Sequence, residues 1–325
     1  MRRRKPHPIM KKSIWSEEGK DTNYQWYRSR DSFQKLRDWA NEVYYAEGMS
    51  QYLDKNFLSQ LRNNNFFART WELKVAEYLR RTGLRLLPTN GAGADFCIEL
   101  EDGRKIWIEV VLATADDDLN RIKENALKTQ GLYNFPQNEM TLRYSSSLFS
   151  KASKIRTNYL GKCIGSDDIV LIAISGVAPG SGLNPEMEHF LRAITPMGDP
   201  VVHFSTDGNP LDPSVRLSTH SDMPSIIKKN GSVVLKQFLY PGTEFPFIDG
   251  VLFAEARDLQ ELMGRVYNIF DENEFDGSLD PPHIFPNYAS KKQIPSELTD
   301  YFYLHKFVDN PPLISLEEQE PKNKL

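Results

Sequence analysis

Cysteine is scarce in this chain, with only Cys97 and Cys163 among 325 residues. A disulfide-stapled secreted scaffold is therefore excluded, and a reducing, cytoplasmic setting is expected. The six histidines are scattered without metal-ligand spacing, so the linear pattern predicts no zinc site. No apolar run approaches the ~20 residues of a membrane span. The basic start, Arg2, Arg3, Arg4, Lys5, Lys11 and Lys12, is not followed by the apolar stretch of a signal peptide. A membrane partner is not expected. Excess charge is also small: a net charge of -4 excludes a protein held to nucleic acid by bulk electrostatics, although a local basic path is all that an enzyme needs. The basic start is one such patch, either a phosphate-binding arm or a solvated terminus. Repeats are absent, and low complexity is confined to a charged tail from Glu317 to Leu325, expected to fray. With 40% hydrophobic and 11% aromatic residues, the chain can still bury a sizeable core.

The patterns that are present predict an α/β fold with a central mixed sheet flanked by helices. Phe66 to Thr82 reads as an amphipathic helix stopped by Gly83, with Phe67, Trp71, Val75, Tyr78 and Leu79 at helical spacing. A short strand follows at Leu84 to Leu87. Two alternating segments come next, Ala94 to Leu100 and Arg104 to Leu112, joined by Glu101-Asp102-Gly103. A second helix is expected over Ser145 to Lys162, with Tyr144 to Ser147 read as its cap rather than as nucleophiles. Asp168 to Ser175 is a nearly continuous apolar run, the mark of a strand covered on both faces.

The hairpin carries the chemistry. A three-residue turn with Gly103 in the left-handed region pairs Leu100 with Arg104. Counting back, Glu99 faces Lys105, Cys97 faces Trp107 and Asp95 faces Glu109. A two-residue turn on Asp102-Gly103 would instead set Asp95 against Val110, mixing polar and apolar residues on each face. Like charges directly opposite on a sheet, with Cβ atoms ~5 Å apart, are destabilising. Either water screens them on a solvated face, or a hard divalent cation such as Mg²⁺ or Mn²⁺ lies between them.

Glu72 belongs to the packing side of the first helix, beside Ala68, Val75, Ala76 and Leu79. An acid there needs a partner. Arg69 or Arg85 is one solution; a third carboxylate reaching the metal pocket, directly or through water, is the other. Gly91-Ala-Gly93 is too short for a phosphate-binding fingerprint and instead gives the backbone freedom next to Asp95. Asp116, Asp117 and Asp118 read as the polar start of a helix over Leu119 to Leu132.

Arg69-Thr-Trp-Glu72, Gly93-Ala-Asp95-Phe and Trp107-Ile-Glu109-Val-Val111, in this order, resemble the motifs of the PD-(D/E)XK nuclease superfamily, the restriction-endonuclease-like fold. The likeness covers Phe66 to Ser175, about a third of the chain. It implies a metal-dependent phosphodiesterase acting on nucleic acid, DNA more than RNA, with Asp95 and Glu109 binding Mg²⁺ or Mn²⁺ and Glu72 assisting. One departure matters. Where the family has lysine two residues after the Glu, this chain has Val111, which can neither orient a water nor stabilise charge on a phosphate. Lys105 lies on the same strand face but ~13 Å away. Some family members place the lysine on the following helix, which points to Lys151, whereas Lys154 lies off the apolar stripe. Arg143 and Arg156 are the alternative to that lysine, as phosphate contacts. The alternative is an inactive member of the fold that binds nucleic acid or scaffolds a complex.

Residues 1–65 read as a basic tail and helical extension, with two or three helices over Asp31 to Asn63; 66–178 as the restriction-endonuclease-like core; and 179–325 as a C-terminal α+β region. Gly- and Pro-rich linkers at 178–182 and 208–213 lead into that region. It contains a hairpin turning at Asn230-Gly231, a buried strand over Phe247 to Ala254 and a helix over Asp258 to Phe270. Lys228 and Lys229 beside the turn read as backbone contacts or as solubilising edge residues.

Overall fold

The computed structural model describes residues 13–89, 91, 93–114, 137–176, 186–200, 220–228, 230–254, 281–310 and 313–323. The basic start at 1–12, Asp116 to Asp118 with the 119–132 helix, both linkers, Lys229 and the 258–270 helix lie outside the described residues.

The described chain is α/β. Helices α1 (Thr22–Ser29), α2 (Gln34–Tyr45), α3 (Phe57–Asn63) and α4 (Phe66–Arg81) precede strands β1 (Arg85–Leu87), β2 (Phe96–Glu99) and β3 (Lys105–Ala113). Helix α5 (Gln137–Asn158), β4 (Ile169–Gly176), α6 (Glu186–Ile194), β5 (Met197–Pro200), β6 (His220–Asp222), β7 (Ser225–Ile227) and β8 (Val233–Leu235) follow. The chain continues through β9 (Gly250–Ala254), β10 (His283–Pro286), α7 (Ser296–Thr299), β11 (Tyr303–Asn310) and β12 (Leu313–Gln319). Ten strands form one mixed sheet in the order β1-β2-β3-β4-β9-β10-β11-β12-β6-β5, and β7-β8 form a separate hairpin.

Each face of the sheet has its own apolar layer. Strand β4 is buried at every position because it stands parallel to β3 on one side and to β9 on the other. Its Ile169, Leu171 and Ala173 join Phe96, Ile98, Ile106 and Ile108 in the layer shared with α1 to α4. Val170, Ile172 and Ile174 join Trp107, Phe253 and Phe285 in the layer shared with α5 and α6. Period-two alternation thus sorts the strand residues between two helical coats.

Helix α4 is buried around more of its girth than a single amphipathic stripe, since α2 and α3 cover it opposite β3. Its buried acids are all paired: Glu72 with Arg69, and Glu77 with Arg80 and Arg81 at 2.7 and 2.6 Å. Asp21 ties its start to α1: one carboxylate oxygen accepts from the Asn23 and Tyr24 amides and the other from Phe66 N–H. Gly83, at φ +71°, ends it.

Several boundaries differ from the sequence expectation; the strand expected from Phe247 begins only at Gly250. Helix α5 begins at Gln137 rather than Ser145, because Met140, Thr141 and Tyr144 continue its buried stripe; Ser145 donates to Thr141 O at 3.0 Å inside the helix and caps nothing. The helix stops at Asn158, before the turn through Gly161 at φ +71°. The tail is tied rather than frayed: Glu317 and Glu318 lie in β12 opposite Lys306 and His305, and Asn323 N–H donates to Asp300 O. The Asn230-Gly231 hairpin forms with a three-residue turn, Lys228 N–H donating to Ser232 O and Gly231 N–H to Lys228 O.

Candidate functional site

The β2–β3 register is the one the face pattern requires. Phe96 stands opposite Ile108, Cys97 opposite Trp107, Ile98 opposite Ile106 and Glu99 opposite Lys105. Leu100 N–H donates to Arg104 O, Gly103 N–H donates to Leu100 O, and Gly103 takes φ +84°. Strand β2 begins only at Phe96, whereas β3 continues to Ala113 against β4. Beyond Ile108, therefore, the outer edge of β3 has no strand beside it among the described residues. Val110 N–H would be the next ladder donor, and the Asp95 carboxylate accepts it through Oδ2 at 2.6 Å. Gly93 makes this approach possible: a Cβ there would lie 2.6 Å from the Trp107 ring.

Glu109 is fully buried and points to the α5 side of the sheet. Lys151 and Lys154, three residues apart on α5, both donate to its Oε1 at 2.6 Å. Its other oxygen, Oε2, is buried and has no hydrogen-bond partner among the described residues. Such an oxygen is costly in isolation and suits a cation. The two lysine side chains are 24% and 40% exposed against 0% for that of Glu109, so they bridge the buried acid to solvent. Lys151 was the lysine expected from the sequence; Lys154, read as pointing off the stripe, reaches the same atom because i and i+3 share a helix face.

Where β2 is missing, Asp95 feels charge from both helical coats. Burial raises its pKa, the Glu109 carboxylate raises it further, and Lys151, Val110 N–H and Lys154 pull it back. Glu72 on α4 is pushed up to about 7, first by burial and then by the Asp95 charge, with Arg69 opposing. Lys154 is raised: burial acts to lower it, but Glu109 and a hydrogen bond with Tyr159 outweigh that. The carboxylates of Glu72, Asp95 and Glu109 are not gathered within 4.8 Å of one another, as a three-ligand set would be. Glu72 sits on Arg69 as an outlying charge.

Other sequence candidates are occupied elsewhere. Arg156 donates to Glu244 O at 2.6 Å and stacks over Phe245, so it packs the protein rather than awaiting phosphate. Lys105 lies opposite Glu99 and over the Trp107 ring. Val111 packs against the α5-side layer.

No helix among the described residues is long and apolar enough to cross a membrane. Comparison with protein-family models, with curated proteins and with solved structures finds no match.

Proposed function

We propose that the protein is a metal-dependent phosphodiesterase that cleaves nucleic acid, DNA more than RNA, at the pocket of Asp95 and Glu109. The observation that carries this reading is the convergence on Glu109 of two lysines from α5, with the Asp95 carboxylate, just ahead of β2, close enough to feel its charge. The likeness to the PD-(D/E)XK nuclease superfamily, a resemblance of short motifs in order, supplies the reaction class. Asp95 and the unpartnered Oε2 of Glu109 would hold Mg²⁺ or Mn²⁺, with Glu72 acting through water. When bound, such an ion lowers the pKa of a water and neutralises charge on the leaving oxygen. Lys151 and Lys154 would stand in for the lysine missing at Val111: both amines hold the acid, and their partly exposed side chains would meet an incoming phosphate. With Cys97 and Cys163 both free thiols, a reducing compartment such as the cytoplasm is the setting this reading assigns.

A second reading has its own support. Glu72, Asp95 and Glu109 are matched by Arg69, Lys151 and Lys154, so the pocket is charge-balanced without an ion and suits an inactive nucleic-acid-binding or scaffolding member of the same fold. Incubating plasmid and single-stranded DNA with Mg²⁺ or Mn²⁺ separates the two. The nuclease reading expects cleavage by the wild type and none by Asp95→Ala. Absence of cleavage by both, with salt-dependent DNA binding retained by both, establishes the binding module instead.

A further inference from the structure

The histidines looked unpromising along the chain, yet two of them meet on neighbouring strands. His283 opens β10, opposite Tyr303 of the parallel β11. His305, two residues on from Tyr303, shares that face and stands opposite Glu318 of β12. His283 Nδ1 and His305 Nε2 are 2.7 Å apart, Glu318 Oε2 is 3.3 Å from His305 Nε2, and it is 3.8 Å from His283 Nδ1. A circle through three atoms so spaced has a radius of about 1.9 Å. A cation slightly off their plane therefore lies about 2.0–2.1 Å from each, the length of zinc–imidazole and zinc–carboxylate bonds, with the two nitrogens opening from 2.7 Å to about 3.3 Å to reach the tetrahedral angle.

The shell is built to hold that arrangement. Tyr303 stacks on the His283 ring at 5.0 Å, and Phe285 lies parallel to the His305 ring at 4.4 Å, fixing both ring planes. His305 is 3% exposed, whereas His283 and Glu318 are 25% and 48% exposed, which leaves a route for an ion from solvent.

We propose that His283, His305 and Glu318 form a binding site for a zinc-class transition ion. Two imidazoles and one carboxylate favour such an ion over Mg²⁺, which takes oxygen ligands. Three protein ligands leave the fourth tetrahedral position open to water. The ion would also clamp β10, β11 and β12 together, so binding stabilises the folded chain. This site is independent of the Asp95–Glu109 pocket.

The test is titration of the metal-stripped full chain with Zn²⁺, and with Co²⁺, whose visible spectrum reports tetrahedral coordination. One tetrahedral Co²⁺ site is expected in the wild type, distinct from any ion held by the Asp95–Glu109 pocket, accompanied by a rise in Tm on adding Zn²⁺. It should be lost in His283→Ala and weakened at least about tenfold in Glu318→Gln, since losing a ligand costs no less than disturbing a ligand's own partner. Both substituted side chains are partly exposed, and circular dichroism verifies that the variants fold. Failure of the wild type to bind Zn²⁺, or equal binding by all three proteins, overturns the site and leaves a hydrogen-bonded His–His–Glu cluster.

Discussion

At the residue scale, the acids of the pocket make stability depend on pH in an unusual direction. Glu72 titrates near 7 in the folded chain against 4.5 for a free carboxyl, and Asp95 is also raised. A raised acid holds its proton more tightly when folded, so its contribution is intact below the unfolded pKa and lost as pH climbs through the folded one. We therefore predict that stability falls between pH 4.5 and 7, by roughly 3 kcal/mol if Glu72 acts alone. Denaturant unfolding across this range should show the decline in the wild type and a much flatter profile in Glu72→Gln; equal slopes contradict the assignment. The two lysines make a second residue-scale case. Because Lys151 and Lys154 share one oxygen of Glu109, replacing either by Met leaves a donor in place and should cost about 1 kcal/mol. Replacing both strands a buried carboxylate and should cost about 3–5 kcal/mol, more than the two single changes combined. Additive losses in urea unfolding would show that the amines do not act as a shared partner.

At the element scale, carboxylates repeatedly finish what the strands leave open. Asp95 takes Val110 N–H; Asp168 takes Lys105 N–H and the Trp107 indole; Asp249 takes Val170 N–H at 2.8 Å. Asp168→Ala should cost about 1–3 kcal/mol through unpaired donors beside β3, a loss that thermal unfolding would register. Asp21→Ala, which uncaps both α1 and α4, should cost about 2 kcal/mol or more, whereas an unchanged Tm would mean that neither cap matters. The hairpin was legible in the sequence because its two faces differ in chemistry and only one turn keeps them apart. Strand β4 was legible because burial on both faces gives a run of apolar residues broken only by Ser175. The extent of α5 was not, because Thr141 and Ser145 are polar residues on a buried face, and a serine run resembles a cap. Lys154 was missed because the apolar stripe alone hides that it shares a helix face with Lys151. The His283–His305–Glu318 cluster was invisible for another reason: its members come from three strands whose pairing is set by the whole sheet.

At the scale of the whole molecule, two helical coats enclose one sheet, and the interruption at the start of β2 is where charges from both coats meet. Asp95 stands in that gap, linked to Glu72 on one side and to Glu109, Lys151 and Lys154 on the other. If the gap is a catalytic centre, Asp95 and Glu109 share a divalent ion; if it is only a balanced packing defect, they do not. Electron paramagnetic resonance of Mn²⁺, titrated into protein carrying Glu318→Gln so that the histidine cluster contributes little, distinguishes these cases. The account predicts a bound ion in that background, competed by Mg²⁺ and weakened together by Asp95→Asn and Glu109→Gln. Free Mn²⁺ throughout the titration, or binding indifferent to both substitutions, would contradict it.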